Sequence, residues 1–129
     1  MKASLRARKW LEKKTKRGMR GFPVGTIAFY GPDNRRATKV AVGIVLAPRS
    51  EPAELRRWFS DTDDLRTNEA VLAEIVDFLR EHEVLSVGMA DRILGCPHEE
   101  GIDYPDGGTC PDCPYWAGRN RWTGQPDAD

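Results

Sequence analysis

The stretch Thr67–His82, TNEAVLAEIVDFLREH, decides the fold. Val71, Leu72, Ile75, Val76 and Leu79 recur at three- and four-residue spacing, and Phe78 widens the same stripe. That period belongs to an amphipathic helix with one buried face, and Thr67 is the capping candidate at its start. Directly after it, Val84–Ala90 has the length and apolar content of a strand. A helix that runs straight into a strand needs a sheet to lie on, and the residues upstream supply one.

Val24–Tyr30 and Lys39–Leu46 are rich in Val, Ile and aromatic residues, and neither is polar over one whole face. Both read as strands covered at least in part on both sides. The eight residues between them, GPDNRRAT, are dense in turn formers, which predicts an antiparallel hairpin. Ser50-Glu-Pro-Ala-Glu54 has the pattern of a helix start, with Pro52 in the first turn and the helix running to about Phe59. Residues 3–16 are helix formers free of Gly and Pro, with Ala3, Ala7 and Leu11 at four-residue spacing; Gly18 and Gly21 end the element. The predicted class is α+β, or a small α/β protein: a β-hairpin and a third strand packed with two helices, a basic N-terminal helix, and an irregular C-terminal metal-binding module. The expected divisions are a basic helical arm at 1–20, an α/β core at 21–94, and a zinc-binding tail at 95–129 packed on the core.

The 129 residues carry 20 Lys and Arg against 20 Asp and Glu. At this length, with 40% apolar and 31% charged residues, the composition is that of one globular domain and not of a disordered or fibrous chain. The longest apolar run, Val40–Ala47, falls far short of a membrane span. The basic N-terminus is not followed by the apolar segment of a secretory signal, so the expected compartment is the cytoplasm. Three cysteines, an odd number, do not make a disulfide framework.

The zero net charge hides a polarity. Residues 1–20 hold Lys2, Arg6, Arg8, Lys9, Lys13, Lys14, Lys16, Arg17 and Arg20 against the single acid Glu12, a net of +8; residues 21–94 sum to −3 and residues 95–129 to −5. A helix with cations along much of its circumference matches the phosphates of a nucleic acid, RNA or DNA, and Arg35, Arg36 and Lys39 of the hairpin turn would extend that surface. The alternative partner is an acidic protein surface, which would make the chain a protein-interaction module, or the arm finds its counter-charge on its own acidic tail. The poor apolar face of the arm argues against a membrane partner.

The strongest chemical signal is Cys96-Pro-His98 followed by Cys110-Pro-Asp-Cys113, which gathers all three cysteines and one of two histidines. Two ligand pairs joined by a short loop are what a tetrahedral Zn2+ site of three thiolates and one imidazole requires. Cys110-Pro-Asp-Cys113 resembles one knuckle of a zinc ribbon, whereas the one-residue spacing of Cys96 and His98 departs from that pattern. Four protein ligands close the coordination shell, so the predicted zinc is structural.

An enzyme is the competing reading. His98-Glu-Glu100 with Cys110-Pro-Asp-Cys113 resembles the two halves of the zinc nucleoside-deaminase signature, and that resemblance would make Glu100 the general acid/base. The chain departs from it in three ways: only eleven residues separate the halves, residue 109 is Thr where Pro is expected, and Cys96 supplies a fourth ligand. A zinc hydrolase with one ligand displaced would take Glu99, Glu100 or Asp103 as its base. Asp91, at the expected end of the third strand, is a further catalytic candidate. No glycine-rich phosphate loop is present. Of the tail aromatics, Tyr115 and Trp116 follow the knuckle directly and are expected to pack against it, while Trp122 has an equal claim to a surface role.

Overall fold

The computed structural model describes residues 2–98, 102–105 and 110–116. In chain order the elements are α1 (Lys2–Arg17), β1 (Val24–Tyr30), β2 (Lys39–Val45), β3 (Glu54–Phe59), α2 (Glu69–Glu81), β4 (Ser86–Ile93) and a single 3-10 turn at Pro114–Trp116. The four strands form one mixed sheet in the order β3-β2-β1-β4. β1 and β2 pair antiparallel, as do β2 and β3, while β4 returns through α2 to lie parallel to β1. The α+β class predicted from the sequence is the class observed.

α2 carries the core. Leu72, Ile75, Val76, Phe78 and Leu79 are buried and meet the strand positions that alternate toward them: Ile27 and Phe29 of β1, Val40, Val42 and Ile44 of β2, Trp58 of β3 and Val87 of β4. The approach is closest at Gly25, where any side-chain Cβ would collide with the Leu79 side chain. Glycine is required there for the helix to seat on the sheet. The helix begins one residue later than the capping candidate: Asn68, not Thr67, is the N-cap, and its side chain accepts from the Val71 N–H at 2.9 Å. At the other end His82 is the C-cap, with its ring edge-on to Phe78.

One element differs in kind. Residues 54–59 form the edge strand β3 and not a helix. The Ser-Glu-Pro signal at 50–52 stops short of any regular element, and Ala53 donates to the Ile44 carbonyl to begin pairing with β2. From there the period is two: Trp58 turns into the core against Phe78, while Leu55, Arg57 and Phe59 project from the opposite face. Aromatic and long side chains suit a pleated edge, and the backbone groups of β2 would otherwise lie unpaired. Local capping chemistry yielded to this tertiary demand.

β4 also runs further than expected, to Ile93, with a register irregularity opposite Ile27 and Phe29. Asp91 therefore lies within the strand and not at its end.

α1 stops at Gly18, which takes a positive φ of 69° as C-terminal glycines do. It packs against α2 and β4, with Ala7 and Leu11 buried in the common core. The link that follows is tied to the sheet by Ser86, whose hydroxyl accepts from the Arg20 N–H at 2.7 Å and donates to the Gly21 carbonyl at 2.8 Å. Among the described residues no helix is long and apolar enough to cross a membrane.

Candidate metal centre

The metal segment starts where β4 ends. Leu94 N–H donates to the Phe29 carbonyl and Gly31 N–H to the Gly95 carbonyl, both at 2.8 Å, so the residue before Cys96 is pinned beside the exit of β1. Pro97 is held next: its carbonyl accepts from Lys39 Nζ at 3.0 Å. On the other half of the segment, Cys113 N–H donates to the Cys110 carbonyl in a tight turn, and Trp116 N–H to the Cys113 carbonyl in the next. Trp116 packs on the core and its indole N–H donates to the Gly31 carbonyl at 2.7 Å. Both halves are thus fastened to the same corner of the sheet.

The result is a four-donor cluster. The ligand atoms of Cys96, His98, Cys110 and Cys113 all lie within 4.8 Å of one another. His98 Nδ1 stands 3.2 Å from Cys96 Sγ, 3.3 Å from Cys110 Sγ and 3.5 Å from Cys113 Sγ. For Zn–S and Zn–N bonds of ordinary length, the S···N edge of a tetrahedron is about 3.6 Å. The three distances match that edge, and the nitrogen nearest the sulfurs is Nδ1. The cysteines are free of disulfides, and Cys110 and Cys113 are buried.

Burial pushes the Cys113 and Cys96 thiols upward, and the adjacent sulfurs add to the effect at Cys113. Three sulfurs packed together, two of them on buried residues, are electrostatically unfavourable as bare thiolates, and a divalent cation among them would supply the compensation. The donor set fits a metal ion. Among the described residues it is the one such group.

The other candidates distribute as follows. Glu99 and Glu100 lie outside the described residues, as do Arg119, Arg121 and Trp122, and the Asp91 side chain likewise. Arg6, Arg8, Lys9, Lys13, Lys16, Arg17 and Arg20 are exposed, and so are Arg35 and Arg36 in the hairpin turn. Lys14 is half-buried with its ammonium over the Trp10 ring at 5.4 Å. Lys39 departs from expectation: it is only 6% exposed and bound to Pro97, so it belongs to the metal corner and not to an outer basic surface.

Two residues that no sequence motif marks matter here. Arg66 donates to the Arg35 carbonyl at 2.9 Å and shares a cavity with Arg8 and Glu12 of α1, linking the hairpin turn to that helix. Asp64 holds Arg66 through a salt bridge at 2.7 Å. Spacing gives no sign of the pair's role, because its partners lie in the hairpin turn some thirty positions upstream. No family model, curated protein or solved structure matches the chain.

Proposed function

We propose that this chain is a small zinc-stabilised protein that binds nucleic acid through the outer face of α1. Zinc is the ion that three thiolates and one imidazole in tetrahedral spacing select. Cys96, His98, Cys110 and Cys113 would hold it, and the bound ion would neutralise the thiolates and cross-link the two halves of the segment. With four protein donors no position is left for a water or a substrate, which favours a structural role over a hydrolase or deaminase.

The observation that carries the nucleic-acid reading is the way α1 is seated. Because Ala7 and Leu11 face the core, helical geometry turns Arg6, Lys9, Lys13, Lys16 and Arg17 outward, all exposed, with Glu12 the only acid of the helix. A rigid helix presenting cations in this density suits a phosphate backbone. Arg8 of the same helix and Arg35 and Arg36 of the hairpin turn are exposed as well and add to the positive surface.

Deleting the arm is a poor test, since Leu11 and Ala7 would leave the core with it. The test is Lys9→Gln combined with Lys13→Gln and Lys16→Gln, titrated against duplex DNA and single-stranded RNA over a range of salt. Every ammonium that pairs with a phosphate in the wild type should, once neutralised, flatten the slope of log K against log salt by about 0.7 to 0.9. An unchanged slope and affinity would reject the reading.

A further inference from the structure

The sheet face turned away from α1 and α2 is built in rows by strand pairing. One row is Tyr30–Lys39–Phe59, the next is Ala28–Ala41–Arg57, and the third is Thr26–Gly43–Leu55. The middle positions of the second and third rows are small, so the face is shallow there, and the first row is aromatic at both ends. Lys39 sits between the rings, with its ammonium 5.5 Å from the Tyr30 centroid and 5.9 Å from the Phe59 centroid. Phe59 is nevertheless 67% exposed.

The metal segment stands over this row and flanks an open cleft of about 540 Å3. Thr38, Lys39, Arg57 and Phe59 line it from the sheet, Asp61 from the loop after β3 and Asp103 from the segment, so two cations stand with two carboxylates. Lys39, Arg57 and Asp103 each already have an interaction within the protein. A large exposed ring on an edge strand does nothing for the core. Beside the Arg57 guanidinium one row away and the Thr38 hydroxyl on the same side, and with the Asp103 carboxylate across the gap, it has the components of a nucleotide site. The ring offers a stacking surface for a base, Arg57 a partner for phosphate, and Thr38 and Asp103 acceptors for base or sugar donors.

We infer that this cleft takes an unpaired nucleotide of a single-stranded nucleic acid, with its base stacked on Phe59 and its phosphate facing Arg57. The inference rests on the nucleic-acid reading above and assigns it a second surface. The cations of α1 lie on the helical side of the sheet and would hold phosphates of either a duplex or a single strand. The cleft admits a base only when that base is unstacked, which selects single strands.

The test uses the full chain with zinc present and two fluorescent probes, a single-stranded hexanucleotide and a duplex DNA, read by anisotropy. Phe59→Ala should weaken hexanucleotide binding by about tenfold or more and leave duplex binding unchanged, and Phe59→Tyr should restore the hexanucleotide affinity. Because Phe59 is exposed, both variants should unfold at the wild-type temperature. Equal hexanucleotide affinity for wild type and Phe59→Ala, with the duplex still bound, overturns the cleft and leaves the α1 reading intact. If neither probe binds at low salt, both fall together. Binding of an acidic peptide that depends on Phe59, with no binding of the hexanucleotide, assigns the cleft to a protein partner and also overturns the inference.

Discussion

The Trp116 indole N–H donates to the Gly31 carbonyl oxygen at 2.7 Å, a contact between residues 85 positions apart. It clips the second half of the metal segment to the end of β1, beside the place where Gly31 N–H binds the Gly95 carbonyl of the first half. Gly31 therefore fastens both halves. Trp116→Phe keeps most of the packing and removes the donor, leaving the carbonyl of the buried Gly31 without it. The expected cost is about 1 kcal/mol, read by denaturant unfolding, with faster amide exchange through Cys110–Trp116. Wild-type exchange in that segment would show that the hydrogen bond does not fasten it.

Metal removal should loosen the same corner. Purified protein is expected to contain zinc, and replacement by Co2+ should give the visible spectrum of a tetrahedral thiolate-rich site. Cys113→Ser should lower both metal content and thermal stability, because its sulfur is buried among the other donors and binding energy at such a site is folding energy. Retention of zinc with full affinity in Cys113→Ser would exclude this ligand set.

Asp64 joins its own loop to the hairpin turn. Its carboxylate accepts from Ala37 N–H at 3.2 Å, from Arg66 N–H at 3.1 Å, and from the Arg66 guanidinium at 2.7 Å. The Arg66 hydrogen bonds hold its pKa below the ordinary value of 3.8, against the opposing effect of burial. A carboxyl whose folded pKa is depressed contributes stability that is present above its unfolded pKa and is lost as pH falls through the folded value. The protein should therefore lose stability on acidification below about pH 4, where the unfolded carboxyl begins to take up its proton. Asp64→Asn should cost about 1 to 3 kcal/mol at neutral pH and flatten that acid limb. An acid limb of unchanged steepness in the variant would assign it to other carboxylates.

The seating of α1 has a simple thermodynamic signature. Leu11 is 2% exposed in the core shared with α2 and the sheet, so Leu11→Ala should cost about 2 to 5 kcal/mol. Neutralising Lys9, Lys13 and Lys16, all on the outer face, should leave unfolding within about 0.5 kcal/mol of wild type. Similar effects from the two changes would mean that α1 is not seated through Leu11.

Sequence alone determined the elements whose cause is local. The 3.6-residue stripe from Val71 to Leu79 specified α2, the Val and Ile content specified β1 and β2, and the short spacings of Cys96 with His98 and of Cys110 with Cys113 specified the donor set. Each depends on residues a few positions apart, where backbone geometry fixes what can meet. Tertiary structure decided what depended on distant partners. Residues 54–59 became a strand because β2 had an unpaired edge and Phe78 a place for Trp58. Lys39, one more cation in the hairpin region by sequence, became a buried anchor because β4 delivers Pro97 to its ammonium. Arg66 and Asp64 gained their roles from Arg35 and Ala37, some thirty positions away. The two ligand pairs, separable in sequence, became one cluster only because Gly31 holds both halves of the segment to one corner of the sheet.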